Sequence, residues 1–145
     1  MPNRFSPLIR WALLIVLPLA AACARESGPS LAAPEALELA RAHKLTIVDI
    51  RRPEELRQTG VAEGAARIDM RHPGFAEAVL ARVGGDKNAP IALICRTGNR
   101  TSQMQAVLMG QGFTHVFHIG EGMAGSGAGP GWIRPGLPVE PCTRC

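Results

Sequence analysis

Apolar and polar positions follow two different rhythms along the chain, and the changes of rhythm divide it into elements. "PEALELARAH" begins with Pro34, whose fixed backbone angle suits a first helical residue, and it sets Ala36, Leu37, Leu39 and Ala40 around one face. "LTIVDI", Leu45 to Ile50, is a β-branched apolar run bounded by charges, the pattern of a strand covered on both faces. Helical spacing resumes in "RPEELRQ". "GAARI", Gly64 to Ile68, predicts a weak strand. "GFAEAVLARVG" then predicts an amphipathic helix that turns Phe75, Val79, Leu80 and Val83 inward and ends at Gly84. After the turn "DKNAP" come the strand "IALI", the helix "TSQMQAVLMGQG" closed by Gly110 or Gly112, and the strand "HVFHI". This alternation predicts an α/β fold. Its central sheet is mostly parallel, with about five strands, helices on both faces and right-handed crossovers.

The two ends depart from this pattern. Residues 1–24 join a basic start (Arg4, Arg10) to the apolar "WALLIVLPLA" and the small-residue "AACA", which is the composition of an export signal peptide. The apolar run is broken by Pro18 and falls short of the ~20 residues that span a bilayer, so an uncleaved anchor ranks second. "LAAAC" resembles a bacterial lipobox, although Ala20 stands where that pattern wants Leu. Two outcomes therefore stay open: acylation of Cys23, or ordinary cleavage after Ala22 or Ala24. Both place the product in the periplasm, with a lipid on Cys23 as the only membrane contact. Residues 25–29, "RESGP", read as a linker, residues 30–138 as one domain, and residues 139–145 as a tail carrying C-x-x-C. "GEGMAGSGAGPGWIRPGLPVEPCTRC" is too rich in Gly and Pro for regular structure, but Trp132, Ile133 and Leu137 can dock it on the sheet.

Composition narrows the options further. With four Phe, two Trp and no Tyr, the core must be built mainly from Ala, Val, Leu and Ile. The formal charge of +4 falls to +2 once Arg4 and Arg10 leave with the signal peptide, too little to argue for nucleic acid. Only Lys44 and Lys87 among the 16 basic residues are lysines, a slight bias toward anion recognition.

The candidate chemistry lies in "ICRTGNRTSQ". Cys95 follows the strand "IALI" and precedes a helix, the position at which open parallel sheets bind ligands. Gly98 lets the loop curl so that backbone N–H groups converge next to the positive end of the helix, and Thr101 or Ser102 can cap it. Such a nest favours a thiolate over a thiol. Arg96 and Arg100 add forked donors for an oxyanion. The plain alternative is a small buried cysteine at a strand end.

At these residues the chain resembles the rhodanese-like family of sulfurtransferases. "CRTGNRT" is similar to the family's active-site loop, "VDIRRPEEL" to its D-V-R-x-P-x-E element, "GVAEGAARI" to its G-H-I-x-G-A segment and "GFTHVFHIGEGM" to the stretch that ends the fold. The resemblance runs from about Ser30 to Leu137. It departs at Val61, where the family commonly has His, and at "GEGM", which replaces a tighter ending. Related phosphatases have a loop one residue longer than the stretch from Cys95 to Arg100, which disfavours phosphatase and arsenate reductase activity.

The resemblance implies a single-domain thiosulfate sulfurtransferase. The Cys95 thiolate would take the outer sulfur of thiosulfate or a similar anion, release sulfite and hold a persulfide until a thiol or cyanide removes it. Arg96, Thr97, Gly98, Asn99, Arg100 and Thr101 would bind the substrate, while Asp49 and Arg51 would brace the loop. No metal or organic cofactor is implied. A second reading is a non-catalytic periplasmic module that uses the same nest to hold an anion, a persulfide or a protein. Cys142 and Cys145 suit a local disulfide in an oxidising compartment, with sulfur relay or dithiol reduction as alternatives. His43, His72, His115 and His118 lack metal-ligand spacing and read as surface or satisfied side chains.

Overall fold

Four consecutive apolar residues, Ile91–Ile94, are all buried, and a parallel strand lying between two helical layers is the arrangement that hides both of its faces. The computed structural model describes Met1 and residues 28–145, so the expected signal peptide and Cys23 lie outside the described residues. In chain order the elements are α1 (Ala33–Arg41), β1 (Thr46–Asp49), α2 (Pro53–Thr59), β2 (Val61–Ala62), β3 (Ala66–Arg67) and α3 (Phe75–Arg82). They continue with β4 (Ile91–Ile94), α4 (Asn99–Gly110), β5 (Val116–His118) and β6 (Val139–Glu140).

The central sheet has the order β3-β1-β4-β5, and every pairing in it is parallel. It holds four strands where about five were expected. Among the described residues only a one-residue bridge from Ser30 to His118 lies beyond β5, because the chain turns into α1 three residues later. Side chains alternate across the sheet: Ile91, Leu93 and Cys95 meet α3 and α4 through Val79, Met104 and Leu108. Ala92 and Ile94 meet α1 and the chain end through Ala36, Leu37, Met123 and Trp132. On α3, Phe75 and Val79 are buried as expected, whereas Leu80 and Val83 pack only at the margin.

The Gly-rich segment is docked by a few contacts. Trp132 is fully buried and its indole N–H donates to Pro138 O at 2.8 Å, while Ile133, expected to help, stays exposed. Glu121 closes the other end: it accepts from Ala33 N at 2.6 Å and from Gly131 N at 2.8 Å. The first turn of α1, which has no side-chain cap of its own at Ala32, is thus capped from 88 residues away. The tail, read as lying outside the domain, joins the fold instead. β6 pairs antiparallel with β2, and Cys142 packs on Leu56 and Val61.

Candidate active site

The loop after β4 is shaped from behind by residues 120–124. The carbonyls of Cys95 and Arg96 accept from Met123 N and Ala124 N, each at 2.9 Å. A trans peptide places N–H opposite C=O, so the N–H groups of Arg96 and Thr97 face away from that segment. Gly98 has φ +91°, and a Cβ there would strike the Gly120 carbonyl. A Cβ on Gly122 would likewise strike the backbone of Arg96 and Thr97. Glycine is required at both positions because two backbones touch. The curl brings Gly98 N–H within 3.2 Å of Cys95 Sγ, and Cys95 is only 1% exposed.

α4 starts earlier than the hydroxyl pattern suggested. Its N-cap is Gly98, in the left-handed region, and neither Thr101 nor Ser102 caps it. Both lie inside the first turn, where their hydroxyls donate back to carbonyls three residues earlier: Thr101 to Gly98 O at 2.8 Å and Ser102 to Asn99 O at 2.9 Å. Asn99, Arg100 and Thr101 occupy the first three helical positions, whose N–H groups have no partner within a helix. Thr101 is buried with its hydroxyl 3.9 Å from Cys95 Sγ, Thr97 is half-buried, and Asn99 points to solvent.

The two arginines of the loop are held differently. Arg100 donates to both oxygens of Glu55, Nη1 to Oε2 at 2.8 Å and Nη2 to Oε1 at 2.7 Å. These bonds hold the Glu55 carboxyl at about 2, below its ordinary value, with the Arg52 backbone N–H adding to the effect. Glu55, and to a smaller degree Cys95, raise the Arg100 guanidinium from its ordinary value. Arg96 is exposed and has no ion pair among the described residues. Arg96 is therefore free to meet an incoming anion, while Arg100 is a fixed charge beside the sulfur.

Asp49 and Arg51 lie one step further back. Arg51 grips Asp49 through Nε at 2.9 Å and Nη2 at 2.7 Å, with both side chains buried. Burial pushes the Asp49 carboxyl up, and the guanidinium pulls against it. The same guanidinium donates to Thr59 Oγ1 at 2.7 Å and Gly60 O at 2.8 Å, which fixes the end of α2. The pair thus fixes α2, which carries Glu55, and among the described residues its side chains make no hydrogen bond to the loop.

Two side chains near the sulfur carry no role in the sequence reading. Glu55 was visible as the last residue of the D-V-R-x-P-x-E element, but its partner Arg100 is 45 residues away. His118, expected at the surface or satisfied, is buried with Nδ1 3.5 Å from Thr101 Oγ1, and burial pushes its pKa down. Among the described residues no three His, Cys, Asp or Glu side chains are grouped to hold a metal ion.

Comparison with known proteins gives consistent results. Residues 32–126 match the rhodanese-like domain family. Thiosulfate sulfurtransferase GlpE of Pseudomonas putida is 33% identical over 88 residues, which cover 61% of this chain and 74% of that one. A sulfurtransferase of Allochromatium vinosum is 30% identical over 101 residues, covering 70% of this chain and 83% of the other. Among solved structures, a homodimeric polysulfide-sulfur transferase from Wolinella succinogenes superposes with a TM-score of 0.60 at 26% identity, covering 77% of each chain.

Proposed function

The chain belongs to the rhodanese-like domain family, and on that premise we propose that it is a sulfurtransferase that carries sulfane sulfur on Cys95 from a thiosulfate-like anion to a thiol or cyanide. The observation that supports this most directly is the Gly98 N–H at 3.2 Å from a sulfur that ends a strand and faces the start of α4. A donor aimed at that point stabilises the thiolate before attack and the anionic persulfide after it.

The reaction balances without a cofactor. The Cys95 thiolate attacks the outer sulfur of the donor, a new S–S bond forms, and the old one breaks with its electron pair leaving on sulfite. Arg96 meets the donor's oxyanion and accompanies sulfite out. Arg100, pinned by Glu55, keeps positive charge beside the sulfur throughout. In the second half, the acceptor attacks the outer persulfide sulfur and the Cys95 thiolate is regenerated. A signal peptide at residues 1–24 belongs to the same reading and assigns the activity to the periplasm, with or without a lipid on Cys23.

Turnover of thiosulfate with cyanide, followed as thiocyanate, tests the proposal. The unsubstituted protein should turn over and Cys95→Ser should not. Equal rates in the two, or anion binding with no turnover in either, would leave a binding module in place of an enzyme.

A further inference from the structure

The disulfide of the tail is not among the groups placed around Cys95, and its surroundings are not those of an inert staple. Cys142 is buried against Leu56 and Val61, while Cys145 is half-buried and lines a cavity of about 250 Å³. Arg51, Arg67, Asp69 and Arg144 line the same cavity. Arg51 is taken by Asp49, and Asp69 by Arg71 at 2.6 Å. Arg67 and Arg144 have no carboxylate partner among the described residues. Arg67 points its Nη1 at the disulfide itself, 3.0 Å from Cys142 Sγ and 3.7 Å from Cys145 Sγ.

A disulfide sulfur is a weak acceptor, so the guanidinium gains little there from the oxidised pair. A thiolate on Cys142 would gain far more, because the bond becomes charge-assisted. The contact therefore favours the opened pair, and it lies on the sulfur that would leave. We propose that the Cys142–Cys145 disulfide is a second reactive sulfur site, opened at Cys145 by a low-molecular-weight thiolate that carries a carboxylate.

The thiolate enters the cavity with its carboxylate toward Arg144 and its sulfur on the accessible side of Cys145. A bond forms from the incoming sulfur to Cys145 Sγ. The bond from Cys145 to Cys142 breaks, and its electron pair stays on Cys142 Sγ as a thiolate facing Arg67. The product is a mixed disulfide on Cys145, and no oxidant or reductant beyond the thiol is consumed. A leaving thiol of lower pKa leaves faster, which is the effect a guanidinium on Cys142 supplies. The exchange is independent of the chemistry proposed for Cys95.

The test uses the Cys95→Ser protein, so that success or failure at the first site does not enter. It is treated with mercaptoacetate or with cysteamine, compared per thiolate, quenched early with acid and read by intact mass and peptide mapping. Mercaptoacetate should form one adduct, on Cys145, about threefold or more faster than cysteamine. That ratio should fall in Arg144→Gln, which removes the partner of the carboxylate, while Arg67→Gln should slow both thiols alike; since both thiols are read on the same variant, a general loosening of the fold cancels from the ratio. No adduct, an adduct on Cys142, a ratio of one or less, a ratio unchanged in Arg144→Gln, or rates undiminished in Arg67→Gln would overturn the proposal.

Discussion

Arg96 and Arg100 bring the same charge into one loop, but single substitutions should separate them. Arg96 is exposed and unpaired among the described residues, so under the proposed function its guanidinium should serve capture of the donor and contribute little to the geometry of the sulfur. Arg96→Gln should raise KM for thiosulfate about tenfold and leave kcat nearly unchanged, the signature of lost uniform binding. Glu55→Gln acts elsewhere, because it releases the Arg100 fork. We expect kcat to fall about tenfold with KM little changed. The same substitution should show in acid stability. The folded Glu55 carboxyl lies at about 2, below its ordinary 4.5, so its contribution is fully present above about pH 4.5 and is lost as pH falls through about 2. Denaturant melts of the two proteins should differ by about 1–2 kcal/mol near pH 6 and converge toward pH 2, given the partial exposure of the pair. A constant difference across that range would contradict the assignment.

Elements matter through the places where their backbones touch. The start of α4 and the stretch 120–124 approach so closely that Gly98 cannot carry a side chain without meeting the Gly120 carbonyl, and its φ of +91° disfavours one independently. Gly98→Ala should cost about 3 kcal/mol in thermal or chemical unfolding and remove most sulfur transfer, since the N–H aimed at Cys95 would shift with it. A melt within about 0.5 kcal/mol of the parent would show that the two backbones can separate freely. This contact also explains what the sequence could and could not reveal. The strands at 46–49 and 91–94 and the helix at 75–82 were legible because their periodicity is local and strong. The beginning of α4 was misread because Thr101 and Ser102 look like caps, and only the Gly98–Gly120 approach shows why a glycine takes that position. β6 was invisible, being two exposed residues whose partners in β2, Val61 for Glu140 and Ala62 for Val139, are distant in sequence.

The whole molecule is a parallel sheet whose carboxyl end is finished by segments distant in sequence: α2 through Glu55, residues 120–124 through the loop carbonyls, and the chain end through Trp132. Cys95 and its loop could be picked out from residue types and spacing, and the Asp49–Arg51 pair from the resemblance of "VDIRRPEEL" to the family's element. Which arginine is free and which is pinned could not, because that depends on a contact between α2 and α4. Those long-range contacts hold the loop in the curl that aims the Gly98 N–H at the sulfur of a buried cysteine at a strand end. The account rests on that sulfur becoming a persulfide, and mass spectrometry reads this directly. Protein treated with thiosulfate, freed of excess donor and digested without reductant should carry one extra sulfur atom on the peptide containing Cys95. Cyanide should remove it, and Cys95→Ser should never acquire it. An unmodified Cys95 peptide after thiosulfate, or an equal gain in Cys95→Ser, would contradict the central claim.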